Sequence, residues 1–457
     1  MNASLLRIEL RRNTVLLLLP LLAVLVGLSP AWRHLSALAL WPYRSFDLQT
    51  ALQGAAPVFA GTAAWMAGRE RRRGMSDLLA TTPCSPWTRL LATWTATALW
   101  GLLFYLAVGA VVLGVTAVQA TWGAPVPWPV LVGMLAMLAC ATLGFALGHH
   151  LPGRFTPPLV AVGVFVSFFL GFTLLDMGNK IGYLTPIYPS VAPTDSVWYA
   201  DRADLGVVQA LFLLGLTLIC LGSLGAVGRA RALRGVARGS AGVLCIAGLG
   251  LAGASVALVL SSRAADGMVR IPVFGGPAAA TPLSYIPVCH AASLPVCVHP
   301  AYRPQLTETA ALLNRIAVPV LGLPGAPTRA VQRPMTFSVV SNGAHRVLAF
   351  APIDFHDPTN PPQFTQVWVG QVAVSLVAAR PHAAGRRWTT DKAQNAVALY
   401  LLRRAGASFD PTQFDQGPDV SAAAQRLAAL PAQARHAWLR THYALLRQGR
   451  VRLEDLP

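Results

Sequence analysis

The segment from Leu90 to Gly153 reads LLATWTATALWGLLFYLAVGAVVLGVTAVQATWGAPVPWPVLVGMLAMLACATLGFALGHHLPG. It runs for 64 residues without an Asp, Glu, Lys or Arg. A transmembrane helix needs about 20 mostly apolar residues, because the hydrocarbon layer is about 30 Å thick and a helix rises 1.5 Å per residue. Polar residues and three prolines interrupt the segment near Gln119–Pro129. The segment therefore predicts two membrane-spanning helices joined by a short hairpin.

Five further uncharged runs flank this segment, and each is 20 to 24 residues long. They are Asn13–Trp32, Leu48–Gly68, Phe155–Leu175, Leu205–Gly228 and Gly239–Ser262. The second run is the weakest, because two glutamines and a proline interrupt it. We therefore predict an α-helical polytopic membrane protein with about seven transmembrane helices, which form a transmembrane domain over residues 1–262.

The composition supports this division of the chain. Hydrophobic residues make up 54% of the 457 residues and charged residues only 12%, against roughly 25% charged in an ordinary soluble domain. This excludes a single large soluble globule, a disordered chain and a disulfide-rich miniprotein. Residues 263–457 lack long apolar runs, and we expect them to form a soluble α+β domain. Its expected strands are Met268–Phe274, Met335–Val340 and Arg346–Phe350, with a turn at Asn342-Gly343, and its expected helices are Gln305–Leu321, Thr390–Arg404, Ser421–Leu430 and Pro431–Gln448.

The orientation follows from the basic residues, which favour cytoplasmic loops. The N-terminal flank and the short loops on its side of the membrane carry 13 Lys and Arg residues, whereas the short loops on the opposite side carry 4. This distribution places the N-terminus in the cytoplasm, and an odd number of spans in the plasma membrane then places residues 263–457 outside. The first residues, with Leu5, Leu6 and Leu10 among arginines, are equally compatible with a short interfacial helix and with a plain basic flank.

The loop between the second and third predicted helices reads GRERRRGMSDLLATTPCSPW from Gly68 to Trp87. Four arginines around Glu70 form a strongly charged stretch at the membrane face, and Gly74 ends it. Asp77 suits a helix N-terminus, and Leu78 and Leu79 offer an apolar face. The pattern predicts a short amphipathic element that could seat in a groove of another protein. From spacing alone, a positive-inside anchor without a partner fits better.

This loop resembles that of ABC-2-type transporter permeases, in which a Glu/Arg-rich run is followed by Gly-Thr, Leu-Leu, Pro and Ser. The matching residues are Glu70, Gly74, Leu78, Leu79, Pro83 and Ser85, whereas Met75 stands where the family usually has Thr. The resemblance covers roughly residues 1–227. It implies that the loop contacts a separate ATP-binding cassette ATPase subunit, and that a second permease copy or a paralogue completes the pathway. The implied coupling residues are Arg69, Glu70, Arg71, Arg72, Arg73, Gly74, Asp77, Leu78, Leu79 and Pro83.

The lysine content bears on where ATP would bind. A P-loop requires Gly-x4-Gly-Lys-Ser/Thr, and the only two lysines, Lys180 and Lys392, do not stand in such a motif. The sequence also lacks H-E-x-x-H and Gly-x-Ser-x-Gly motifs, and no nucleic-acid-binding motif accompanies the basic surplus. We therefore predict no catalytic site, no cofactor and no nucleic-acid partner, with membrane lipid as the surroundings. The alternatives are a membrane-anchored sensor or ligand-binding protein and a membrane enzyme with an unrecognised outer site.

Cys289 and Cys297 are the only cysteines in residues 263–457. Outside the cytoplasm such a pair usually forms a disulfide, which is our first expectation. Free thiols come second. A metal site with His290 and His299 is third, because adjacent Cys-His ligands are awkward and the spacing does not match known fingers.

Overall fold

A computed structural model describes most of the chain in two compact units. The described residues are 3–28, 38–74, 86–188, 197–226, 236–265, 268–275, 281–334, 338–342, 345–355, 362–378, 391–410 and 417–457. Unit 1 comprises residues 1–35 and 39–282, and unit 2 comprises residues 36–38 and 283–457. The division falls after Pro282, whereas the predicted boundary at Ser262 marks the end of the last apolar run.

Unit 1 is built from helices. In chain order they are α1 (Ala3–Arg11), α2 (Val15–Gly27), α3 (Trp41–Thr50), α4 (Leu52–Ala67), α5 (Arg69–Arg72), α6 (Pro86–Gln119), α7 (Pro127–His150), α8 (Thr156–Asp176), α9 (Asp204–Ala226) and α10 (Val236–Leu260). Within the described residues, five of them, α6 to α10, are long and apolar enough to cross a membrane. The number becomes six if α1 and α2, which meet at 51°, form one bent span.

The first two predicted spans differ from what the structure contains. Helix α2 has 13 residues rather than the 20 expected from Asn13 to Trp32, and residues 29–37 lie outside the described part of the chain. The run Leu48–Gly68 is helical, but its helical region begins earlier, at Trp41, and is divided at Ala51 into α3 and α4. Helices α3 and α4 are each too short to be counted as a membrane span. The number of candidate spans among the described residues is therefore five or six.

The direction of α3 and α4 is defined by contacts at both of their ends. The backbone N–H of Trp41, at the start of α3, donates to the carbonyl of Trp122 at 3.4 Å, just beyond the end of α6. At the other end, Glu70 stands three residues after the last residue of α4 and lies 3.9 Å from Arg89 in the first turns of α6. The two helices together therefore run antiparallel to α6 and over nearly its whole length.

Helices α4 and α7 approach backbone to backbone. A Cβ atom at Gly144 would overlap the carbonyl oxygen of Ala60, and one at Gly148 would overlap that of Ala64. Both pairs are four residues apart, so they lie on one face of each helix. Helices in membranes associate through such small residues, because van der Waals packing replaces the missing hydrophobic driving force. Buried side chains that include Phe59 and Met137 extend this contact into the main core of unit 1.

The end of unit 1 opposite Arg89 is held by charged side chains. Lys180 Nζ donates to the carbonyls of Leu260 and Ser262, at 3.2 and 2.5 Å, at the C-terminus of α10, where a cation is favoured. Asp204 begins α9, pairs with Arg202 at 3.1 Å and accepts the N–H of Ile271 at 2.9 Å. Ile271 directly follows a small hairpin of β1 (Arg263–Ala265) and β2 (Met268–Arg270). The hairpin is thus attached to the bundle.

Unit 2 combines a mixed sheet with helices. Its strands are β3 (Val288–His290), β4 (Val296–Val298), β5 (Arg329–Gln332), β6 (Ser338–Asn342) and β7 (His345–Phe350), and its helices are α11 (Leu306–Ala317), α12 (Pro362–Val377), α13 (Lys392–Ala405), α14 (Pro418–Ala429) and α15 (Ala432–Arg447). The strand order is β3-β4-β5-β7-β6. Strands β4, β5 and β7 are parallel neighbours, and the two edge strands run antiparallel.

The predicted mixture of strands and helices is present in unit 2. The four expected helices match α11, α13, α14 and α15. The expected hairpin is formed by β6 and β7, but Asn342, which was expected in the turn, is the last residue of β6 and pairs with His345. Residues 335–337 of the expected strand lie outside the described residues, as does the hairpin connection, residues 343–344. Strands β3 to β5 and helix α12 were not expected. The predicted strand Met268–Phe274 is strand only as far as Arg270.

The contact between α4 and α7 generates a stability prediction. We expect Gly144→Ala to lower the free energy of unfolding by about 1–3 kcal/mol, since a methyl group would force the two backbones apart. Thermal unfolding of the detergent-purified chain measures the change. Gly163→Ala in α8 is the matched control, because no described atom lies within 4 Å of its added Cβ. Equal effects of the two substitutions would contradict the close contact.

Candidate functional site

The Arg-rich segment predicted as a coupling region follows α4 without a long break. Residues Arg69–Arg72 form the single helical turn α5, and Gly74, with φ of +63°, ends it. A left-handed φ of this kind favours glycine, because a side chain would clash with the backbone. The remaining predicted coupling residues, Asp77, Leu78, Leu79 and Pro83, lie outside the described residues. The structure therefore describes the first half of the predicted region, Arg69 to Gly74.

Arg69 joins this turn to the N-terminal helix. Its Nη2 lies 2.7 Å from Oε1 and 2.9 Å from Oε2 of Glu9. The two side chains are 20% and 13% exposed, so the pair is largely shielded from water. Trp100 of α6 fixes α1 further by donating its Nε1–H to the carbonyl of Leu10 at 3.1 Å. The N-terminal flank is thus a helix that packs on the bundle, which favours the first of the two interpretations of this segment.

Glu70 and Arg71 connect the turn to two longer helices. Glu70 lies 3.9 Å from Arg89 Nε, near the start of α6. Arg71 donates from Nη1 to the carbonyl of His149 at 3.1 Å, at the C-terminus of α7. A cation is favoured at this position, because the last carbonyls of a helix carry partial negative charge. The turn α5 is therefore attached to α1, α6 and α7. We call this end of unit 1, with α1, α5 and Arg89, the basic end.

Arg72 and Arg73 provide the remaining positive charge of the turn. Arg72 lies over the ring of Trp65, 4.0 Å from its centroid, and donates from Nη2 to the Trp65 carbonyl. Burial and the charge of Arg73 lower the pKa of Arg72, although a guanidinium remains protonated in proteins. The side chains of Arg71 and Arg73 are exposed. Arg71 and Arg73 are thus exposed cations of the basic end, whereas Arg69 is paired with Glu9.

A second polar cluster lies near the start of α3, and the sequence reading did not single it out. Arg44 and Asp47 are 1% and 4% exposed, although they precede the uncharged run. Ionisable residues buried within an apolar helical bundle are costly and are often functional. Their spacing of three residues, which places both on one helical face, is the signal that could have identified them.

Two buried glutamines next to this cluster hold the segment that follows α8. Gln49 Nε2 donates to the Pro186 carbonyl, and Gln209 Nε2 lies 2.9–3.0 Å from the carbonyls of Tyr183, Thr185 and Tyr188. Tyr183 and Tyr188 contact each other edge to face at 5.1 Å. The backbone carbonyls of this segment thus accept hydrogen bonds from the side-chain amides of Gln49 and Gln209, which are buried in the bundle.

Cys289 and Cys297 form a disulfide, with their sulfur atoms 2.08 Å apart. The cysteines lie opposite each other on β3 and β4. Nearby His299 is buried and accepts the N–H of Ala301 on Nδ1 at 3.2 Å, and burial lowers its pKa to about 4. The disulfide sulfurs are not available as thiolate ligands. In the part of the chain that the structure describes, no group of three or more His, Cys, Asp or Glu residues could hold a metal ion.

Comparison of the chain with models of protein families, with curated proteins and with solved structures finds no match.

The pair of Glu9 and Arg69 generates a test of how α5 is attached. We expect Glu9→Gln and Arg69→Gln each to destabilise unit 1, because either leaves a shielded charge without its counter-charge. The double variant should lose less than the sum, with a coupling of about 0.5–3 kcal/mol measured by thermal unfolding. The more distant pair of Glu70 and Arg89 is the control and should couple more weakly. Strict additivity for Glu9 and Arg69 would contradict the attachment.

Proposed function

We propose that this chain is the membrane permease subunit of an ABC-2-type transporter, which is driven by a separate ATP-binding cassette ATPase docked on the basic end. The observation that carries the proposal is the attachment of α5 to three helices at once, while Arg71 and Arg73 remain exposed. A partner that moves this turn would also move α1, α6 and α7. The lack of a P-loop in the sequence is consistent with ATP hydrolysis on another polypeptide.

Seven crossings of the membrane are part of the proposal. Five long apolar helices and the bent pair of α1 and α2 supply six. The course of α3 and α4, from the Trp122 end of α6 to its Arg89 end, supports a seventh, because these helices traverse the same thickness as α6. The close packing of α4 on α7 supports the same conclusion. The glutamines and charges that weaken the hydropathy of α3 point into the bundle, where they are buried.

The orientation rests on charge and on the disulfide. The basic end carries seven arginines, namely Arg7, Arg11, Arg69, Arg71, Arg72, Arg73 and Arg89. Such a concentration of basic residues favours the cytoplasmic side of a bacterial plasma membrane. An odd number of crossings then places unit 2 on the extracytoplasmic side. A disulfide between Cys289 and Cys297 supports this location, since disulfides persist in oxidising compartments and are rare in the cytosol.

Co-purification tests the coupling surface. The tagged full-length chain, extracted from its native membrane in mild detergent, should retain an ATP-binding cassette ATPase, detected by mass spectrometry and by ATP hydrolysis. The double variant Arg71→Glu/Arg73→Glu should lower the amount of retained ATPase about tenfold or more, because reversing these charges would replace attraction to an acidic partner surface by repulsion. Deletion of Leu78–Pro83 should abolish retention while the chain still inserts into the membrane.

Arg154→Glu is the matched control for this experiment. Arg154 is exposed, precedes α8 and does not belong to α5. Its guanidinium lies over the ring of Phe155. It should retain the ATPase at the wild-type level, and a single symmetric peak in size-exclusion chromatography checks the fold of each variant. Retention that is unchanged by both the α5 charge reversal and the loop deletion would overturn the coupling assignment. Absence of any ATPase from the wild-type preparation would favour a membrane-anchored sensor or ligand-binding protein.

Thiol labelling tests the orientation separately. In intact spheroplasts, a membrane-impermeant maleimide should add two labels to the chain only after reduction, on Cys289 and Cys297. A Cys84→Ser background removes the thiol of the predicted cytoplasmic loop, and Cys289→Ser/Cys297→Ser provides the unlabelled control. Labelling of the pair that requires cell lysis would contradict the outer location of unit 2. Labelling without reductant would contradict the disulfide.

A further inference from the structure

An apolar groove opens on the surface of unit 1 between α2, α4 and α8. Its volume is about 330 Å³, and the residues that line it include Thr14, Thr62, Trp65, Pro157 and Ala161. This volume falls at the lower end of the range for small-molecule sites. The two hydroxyl groups of the wall are used within the bundle, since Thr14 donates to Met66 Sδ at 3.2 Å and Thr62 donates to the Val58 carbonyl at 2.7 Å. The groove is therefore suited to a hydrocarbon chain.

One end of the groove lies at the basic end of unit 1. Thr14 directly precedes α2, Trp65 lies two residues before the end of α4, and Pro157 stands in the first turn of α8. Trp65 is 43% exposed and serves two purposes, because it forms part of the groove wall and carries the guanidinium of Arg72 over its ring. An amphipathic surface results, with a cation positioned directly beside an apolar channel.

We propose that this groove binds one anionic phospholipid, with an acyl chain along the groove and the headgroup phosphate at Arg72. Charge complementarity favours this occupant. Stacking on Trp65 orients the planar guanidinium, whose remaining N–H groups suit phosphate oxygens. The neighbouring charge of Arg73 is unfavourable to Arg72 and would be offset by a bound anion. An anionic lipid satisfies the cation and the apolar wall together, whereas free phosphate would leave the groove empty.

The site adds to the proposed transport function without depending on it. It requires that unit 1 lies in a bilayer with its basic end at a lipid headgroup layer. If this end faces the cytoplasm, the adjoining leaflet is the one whose anionic lipids attract basic segments. A lipid bound at Arg72 would sit beside α5, so the lipid composition of that leaflet would affect the same turn that the ATPase is proposed to contact.

Native mass spectrometry of the full-length chain tests the site. After exchange into detergent with palmitoyl-oleoyl phosphatidylglycerol or phosphatidylcholine, the wild-type chain should retain one phosphatidylglycerol several-fold more than phosphatidylcholine. Arg72→Gln should reduce phosphatidylglycerol retention to the level of phosphatidylcholine. Ala161→Trp should reduce retention of both lipids, because the ring would fill the groove. Millimolar inorganic phosphate should not displace the lipid.

Two control variants make the result specific. Val162→Trp adds the same ring to the next residue of α8, which is 59% exposed and does not line the groove. Arg154→Gln removes an exposed arginine at the same end of the bundle. Both should retain phosphatidylglycerol at the wild-type level, and only variants with a wild-type elution profile are compared. Equal retention of the two lipids by the wild type would overturn the proposal, as would displacement by phosphate. A change from dimer to monomer in Ala161→Trp, with lipid retention unchanged, would instead identify the groove as an interface between copies.

Discussion

The backbone contact between α4 and α7 determines where the basic turn can lie. At Gly144 and Gly148 the helices are so close that the carbonyl oxygens of Ala60 and Ala64 occupy the space of the missing side chains. Gly148 is two residues from the end of α7, and Ala64 is three residues from the end of α4. The two helices therefore end side by side. Arg71 reaches the last carbonyls of α7 because this contact leaves no room for the helices to diverge.

Charge is used differently at the two ends of unit 1. At the basic end, Glu9 and Glu70 neutralise part of a surplus of arginines, and the rest stays exposed or stacks on an aromatic ring. At the opposite end, single charges such as Lys180 and Asp204 satisfy helix termini and neighbouring backbone groups. The first arrangement leaves a surface that can attract an anionic partner or lipid.

Unit 2 obtains its stability in another way. Trp368 of α12 packs edge to face against Phe350 and Phe355 and donates its indole N–H to the Ala351 carbonyl at 2.7 Å. The disulfide joins two strands of only three residues each, which have few ladder hydrogen bonds of their own. A covalent link compensates for short strands at the edge of the sheet, because it reduces the freedom of the unfolded chain.

The sequence by itself determined the long apolar helices α6 to α10 of unit 1, the mixed character of unit 2 and the Arg-rich stretch around Glu70. These features depend on local composition, since a long uncharged run can be accommodated only in a membrane or a core. It did not indicate that α3 begins at Trp41, because Arg44 and Asp47 look like loop residues until their burial is known. It also gave no sign of α12, whose several valines suit a strand as well as a buried helix. Only the tertiary structure decided which partners the arginines take, since the contacts of Arg69 with Glu9 and of Arg71 with the His149 carbonyl join residues that are far apart in the sequence.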